Sequence, residues 1–189
     1  MNLEILKNEE KRMNLIMFIF LAVIPIVAFV YVLLFNGGTV KDSIVVLMAL
    51  ASLVTKALER SLGRFAKYIY ISILPVLGAV TIVLGTPGCF GAMVEAYFLI
   101  LFLAVPYYDL SMIKVCSIFT IAPNVIAMII FPQAYLAMYT VSIWIFAGMV
   151  YILAVLVSVM IVIRAKRLFL TVEKKEHVAE EMLDSIREA

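Results

Sequence analysis

Five residues combine a chemically competent side chain with an apolar neighbourhood: Glu95, Tyr97, Asn124, Tyr139 and Trp144. An ionisable group inside an apolar run is costly and marks a functional candidate by default. Glu95 therefore reads in two ways. It is a ligand or cation contact facing a cavity, or a carboxylate at a helix N-terminus, where the dipole favours negative charge. Asn124 follows Pro123, which removes a backbone N–H and frees the carbonyl one turn earlier. Such a break lines a cavity, or it is a kink whose amide bonds to a neighbouring helix. Trp144 lies too deep for a headgroup anchor, and its indole N–H requires a partner. If these five residues face one another, they form an apolar pocket with a few polar groups, the common form of a small-ligand site.

Other chemistries find no residues. There is no GxSxG, no HExxH, no ATP-binding motif and no pair of acids at helical spacing within an apolar run. A nucleophile or metal with its base is the minimum for catalysis, so the chain is expected not to be an enzyme. His177 is the sole histidine, and Cys89 and Cys116 fall at different depths. Zinc, haem and iron–sulfur sites need clustered ligands, and a disulfide needs matched positions. No cofactor and no disulfide are expected.

The elements that must position these residues are apolar helices. The chain is 66% apolar and 15% charged, with a mean hydropathy of +1.14, whereas soluble domains are roughly half apolar and about a quarter charged. That excludes a soluble enzyme, a nucleic-acid-binding domain and a disordered regulator, and makes the lipid bilayer the partner. With about 20 residues per crossing, the expected fold is all-α, a polytopic membrane protein of six transmembrane helices. They are predicted at Leu15 to Phe35, Ser43 to Leu58, Tyr68 to Leu84, Ala92 to Tyr108, Val115 to Phe131 and Ala134 to Ile163. Glycine, proline and asparagine clusters punctuate them, as in Asn36-Gly37-Gly38 and Gly85-Thr86-Pro87-Gly88. With six crossings every Lys and Arg except Lys41 falls on one side. The positive-inside rule then puts both termini in the cytoplasm of a bacterial plasma membrane.

Residues 1–163 read as the membrane domain and residues 164–189 as a cytoplasmic helix. The last span passes into Arg164, Lys166 and Arg167 without a stop signal. Val172, Ala179 and Ile186 recur seven apart, and Leu168 and Met182 take the companion position of a heptad seam. Arg164, Val172, Ala179, Met182 and Ile186 are thus candidate relay residues of a helix that pairs in a homodimer. Lys175 interrupts the seam, and a tail lying on the membrane is the plainer alternative. The pattern runs to Ala189 in mid-heptad, so an output module is expected beyond it.

Three segments carry a resemblance: Lys67-Tyr68 ending a basic link, Val105-Pro106-Tyr107-Tyr108-Asp109 closing one span, and the exit Arg164-Ala165-Lys166-Arg167 leading to Glu180-Glu181-Met182-Leu183-Asp184-Ser185-Ile186-Arg187. In these the chain resembles the six-span N-terminal membrane region of bacterial methyl-accepting chemotaxis receptors. The resemblance implies a transmembrane sensor that binds a small apolar or amphipathic ligand and relays it to a cytoplasmic signalling module, with no nucleic acid involved. The alternative is the substrate-binding membrane subunit of a vitamin-type transporter, which explains a pocket but not the charged helical tail.

Overall fold

The computed structural model describes the backbone of residues 3–188, the side chains of residues 8–172, and those of Lys175, Ala179 and Met182. Among the described residues all regular structure is helical. Helix α1 spans Leu3–Phe35, α2 Leu47–Leu62, α3 Ala66–Leu84, α4 Met93–Ala104, α5 Leu110–Ile130, α6 Pro132–Leu136 and α7 Val141–Glu188. Short 3₁₀ turns at Val40–Val46, Gly63–Phe65 and Val105–Tyr107 lead into α2, join α2 to α3 and follow α4.

Four helical stretches are long and apolar enough to cross a membrane: Asn8–Phe35, Val40–Leu84, Leu110–Ile130 and Val141–Val172. The chain is therefore that of a membrane-embedded helical protein. Val40–Leu84 is a hairpin and not one rod. Gly63 takes φ +52°, a left-handed geometry that glycine adopts without a Cβ penalty, and α3 then packs back along α2. Met93–Tyr107 is a shorter apolar helix. Polar contacts at the two ends give the helices their alternating directions. Asn36, Asp42, Thr86 and Cys89 meet at one end; Glu10, Asn14, Glu59, Lys67, Tyr107 and Asp109 meet at the other.

Helix α3 is the axis of the bundle. It packs on α1, α2, α4 and α5, and it buries Tyr70, Ile71, Ile73, Leu74, Pro75, Gly78 and Ile82. Helices α1, α5 and α7 instead leave broad apolar faces open, such as Val27, Ile129 and Leu153. That inversion of the soluble pattern is what a hydrocarbon solvent permits, because lipid tails satisfy apolar surface as well as protein does.

The boundaries depart from the sequence reading in three places. The helix predicted over Ala134 to Ile163 is two helices. Pro132 starts α6, the chain turns at residues 137–140, and α7 begins at Val141. Thr140 and Ser142 bond to each other through their hydroxyls at 3.0 Å, and such short side chains compete with helical hydrogen bonding. Helix α5 starts at Leu110 rather than Val115, because Asp109 Oδ1 accepts the Ser111 N–H at 2.9 Å and caps it. Helix α1 starts at Leu3 rather than Leu15, so its first three turns carry the charged residues that precede the apolar run.

Asp42 is fully buried and holds one end of the bundle. Its carboxylate accepts the Thr39 N–H at 2.6 Å, the Thr86 N–H at 2.6 Å and the Thr86 hydroxyl at 2.7 Å. The loop after α1 is thereby tied to the loop after α3. The opposite end is closed by Lys67, whose ammonium donates to Asp109 at 3.1 Å and Glu10 at 3.4 Å. Burial pushes the Asp109 carboxyl up, but the Ser111 N–H and the Lys67 ammonium outweigh it, so the group titrates below its ordinary value.

Two outcomes follow. Asp42→Ala strips several charge-assisted bonds and lowers the unfolding free energy in detergent by about 3 kcal/mol, read from denaturant titrations; an unchanged midpoint removes the clasp. Asp109 has a depressed folded-state pKa, so its stabilisation is complete above its unfolded value, about 3.9. It is lost as pH falls through the folded value. The Tm advantage of the native chain over Asp109→Asn is therefore expected to be constant above about pH 5 and to vanish on acidification.

Candidate functional site

Helix α5 carries the centre of the site. Pro123 interrupts its backbone ladder, and the next residue turns its side chain back onto the helix. Asn124 Nδ2 donates to the Thr120 carbonyl at 2.8 Å. A carbonyl only accepts, so the nitrogen must face it and the amide has one valid orientation. The opposite face then presents Oδ1, which accepts the Tyr97 hydroxyl at 3.1 Å and the Tyr135 hydroxyl at 2.9 Å. One carboxamide thus joins α4, α5 and α6.

The chain of contacts continues into α7. The Trp144 indole N–H donates to the Tyr135 carbonyl at 3.0 Å. The Trp144 ring lies 5.1 Å from Tyr135 and 5.7 Å from Tyr139, centroid to centroid. Both spacings are in the range where tilted and edge-on aromatic pairs attract. Behind Tyr97, α3 approaches closely at Gly78. A Cβ there would stand 2.8 Å from the Tyr97 hydroxyl and 3.0 Å from its ring, so only glycine leaves the ring in place.

These residues surround a crevice of about 260 Å³ between α4, α5 and α7. Tyr97 and Phe98 line it from α4, Thr120 and Asn124 from α5, and Trp144, Gly148 and Tyr151 from α7. Its walls are almost wholly apolar. Deeper along α5, Cys116 Sγ lies 3.9 Å from the Tyr151 hydroxyl, and Tyr151 packs edge-on against Phe98 at 5.4 Å. Thr120 is buried, and its hydroxyl has no hydrogen-bond partner. An unpaired buried hydroxyl costs on the order of 1–3 kcal/mol. The volume falls just below the usual small-molecule range of about 300 Å³ upward.

Of the five residues singled out from sequence, Tyr97, Asn124 and Trp144 line the crevice. Tyr139 touches it only through the Trp144 ring. Glu95 is exposed in the first turn of α4 and stands outside it, on the helix-terminus side of its two readings. Tyr135 and Tyr151 are also buried and line the crevice. A local signal existed for the rest. Cys116, Thr120 and Asn124 are four apart and share one face of α5, while Trp144, Gly148 and Tyr151 do the same on α7. The two cysteines are free and buried.

Of the relay residues, Arg164, Val172, Ala179 and Met182 are exposed along α7; the side chain of Ile186 lies outside the described residues. The boundary drawn at residue 163 falls inside α7, which runs on without a break. No family model matches the chain, and neither does any curated protein or solved structure.

Asn124→Leu is expected to lower the unfolding free energy by about 2 kcal/mol, because the buried Tyr97 hydroxyl loses its acceptor. In that background Tyr97→Phe costs nothing further, since the coupling has already gone. Full additivity of the two substitutions dissolves the network. Trp144, the sole tryptophan, reports the same change through its emission.

Proposed function

We propose that the chain is a sensor of the bacterial plasma membrane with six crossings and both termini in the cytoplasm. A small apolar or amphipathic ligand binds in the crevice and shifts α7, and the shift passes along that helix to a cytoplasmic signalling module. The observation that carries this reading is the double role of α7. Trp144, Gly148 and Tyr151 form one wall of the crevice, and the same unbroken helix continues to Glu188. A ligand moves such an equilibrium only through unequal affinity for two packings. The crevice provides for that inequality, because its walls belong to different helices joined by a few polar bonds.

The hairpin at Gly63 and the shorter apolar run of α4 support a count of six crossings. The basic residues support the orientation. Lys11, Lys56, Arg60, Arg64 and Lys67 gather at one end of the bundle, and Lys41 stands at the other beside Asp42. Exposure of Val172 and Met182 on α7 suits a seam that closes against a second copy. The tail reading leaves the heptad spacing without a use.

Gly148 decides the matter experimentally. A Cβ there would meet no atom within 4 Å, so Gly148→Leu is expected to fill the crevice without unfolding the protein. Full-length protein in vesicles is titrated with indole, phenol and related small aromatic alcohols while Trp144 emission is followed. A spin label at Lys175→Cys reads the distance between paired helices. The native chain is expected to change both signals with at least one compound, and Gly148→Leu neither. Accumulation of a labelled compound inside the vesicles would instead establish the transporter reading and overturn the sensor.

A further inference from the structure

At the end of the bundle away from Asp42, a cleft of about 1270 Å³ opens between α1, α2 and the start of α3. Its charges do not balance. Glu10 is engaged by Lys67 at 3.4 Å, and Glu59 by Lys56 at 2.6 Å and by the Asn14 amide at 3.0 Å. Both acids of the cleft are therefore committed to its floor. Lys11, Arg60 and Arg64 line the same cleft and have no ion-pair partner among the described residues. Gly63 explains why two arginines converge there. Its positive φ turns the chain between them, and Arg60 from α2 and Arg64 from the turn both line the cleft.

Unpaired guanidiniums at the mouth of a cleft are the donors that suit phosphate, which they bind in a planar, bidentate fashion. The surface beside them indicates which phosphate. Leu50, Leu53, Ala57 and Arg60 recur at three- and four-residue spacing and so form one stripe along α2. Leu50 and Leu53 are each about half exposed. A cationic head therefore sits at the end of an open apolar track roughly 15 Å long. A soluble anion has no use for the track, whereas a phospholipid fills both parts.

We propose that this cleft binds the phosphate of an anionic phospholipid, with an acyl chain lying along Leu50 and Leu53. The lipid would join α1, α2 and α3 at their charged ends, over the Asn14–Glu59 floor. The inference rests on the bilayer crossing proposed above and not on the sensor reading, since the assay below needs no ligand in the crevice.

The test is native mass spectrometry of the detergent-solubilised full chain with phosphatidylglycerol and phosphatidylcholine of identical acyl chains. Phosphatidylglycerol is expected to bind on the order of tenfold more tightly. Arg60→Gln with Arg64→Gln should abolish the preference, and Leu53→Gln should weaken binding of phosphatidylglycerol. Both arginines are exposed and unpaired, and unchanged Trp144 emission verifies the fold of each variant. Lys166→Gln with Arg167→Gln, at headgroup level elsewhere, should leave the preference intact. Retention of the preference in the double arginine variant overturns the site, as does equal loss in the Lys166/Arg167 control. Displacement of phosphatidylglycerol by inorganic phosphate, with Leu53→Gln indifferent, overturns the lipid in favour of a soluble phosphate.

Discussion

A charged or amide side chain inside an apolar bundle needs a partner within the protein, and this constraint organises the packing of the helices. Lipid offers no hydrogen bonds, so each unsatisfied group costs several kcal/mol. Three polar centres meet that demand, each by tying separate helices together. Asp42 joins two loops at one end, Lys67 joins α1, α3 and the α4–α5 turn at the other, and Asn124 joins α4, α5 and α6 between them. The apolar surface between these centres has little directional preference of its own, since helix faces pack on lipid or on each other with similar ease. Polar pairing therefore sets the register, and packing fills in around it.

The Asn124 centre differs from the other two in its freedom. Both end clasps use charge, and the Asp42 clasp adds short bonds from backbone N–H groups. Asn124 uses neutral bonds of 2.8 to 3.1 Å beside an open crevice and an unpaired Thr120 hydroxyl. Net stabilisation by such neutral bonds is near 1 kcal/mol each, within reach of what a small ligand can offset. The bundle is thus firm at its ends and yielding at one mid-level site, where α7 has few contacts with the core.

Much of the helical layout could be read from the chain. Apolar runs, prolines and glycine pairs locate α2, α3 and α4 to within a few residues, and Pro123-Asn124 announces a polar break in α5. Tyr97, Asn124 and Trp144 were legible as a group because each is a polar tip in an apolar run. The partners were not. Asp42 meets Thr86, Lys67 meets Asp109 and Tyr107 meets Asn14 across dozens of residues, and no local spacing encodes such a pair. Tyr135 and Tyr151 look like any interfacial tyrosine until the helices carrying them are set side by side. The break between α6 and α7 escaped because Thr140 and Ser142 hardly lower the hydropathy of the run around them.

The length of α7 has a mechanical consequence. At about 1.5 Å per residue its 48 residues extend some 72 Å, and the crevice touches only its first three turns. From Tyr151 to Met182 the helix projects roughly 46 Å. For a rod of that reach pivoting at the crevice, a tilt of about 5° carries the far end some 4 Å sideways. Sub-ångström repacking around Trp144 and Gly148, too small to disturb the polar clasps, is thereby magnified to nearly the width of a side chain at the distal tip. The gain resides in the geometry of a continuous rod, so a helix-breaking residue placed beyond the crevice-lining turns would remove it.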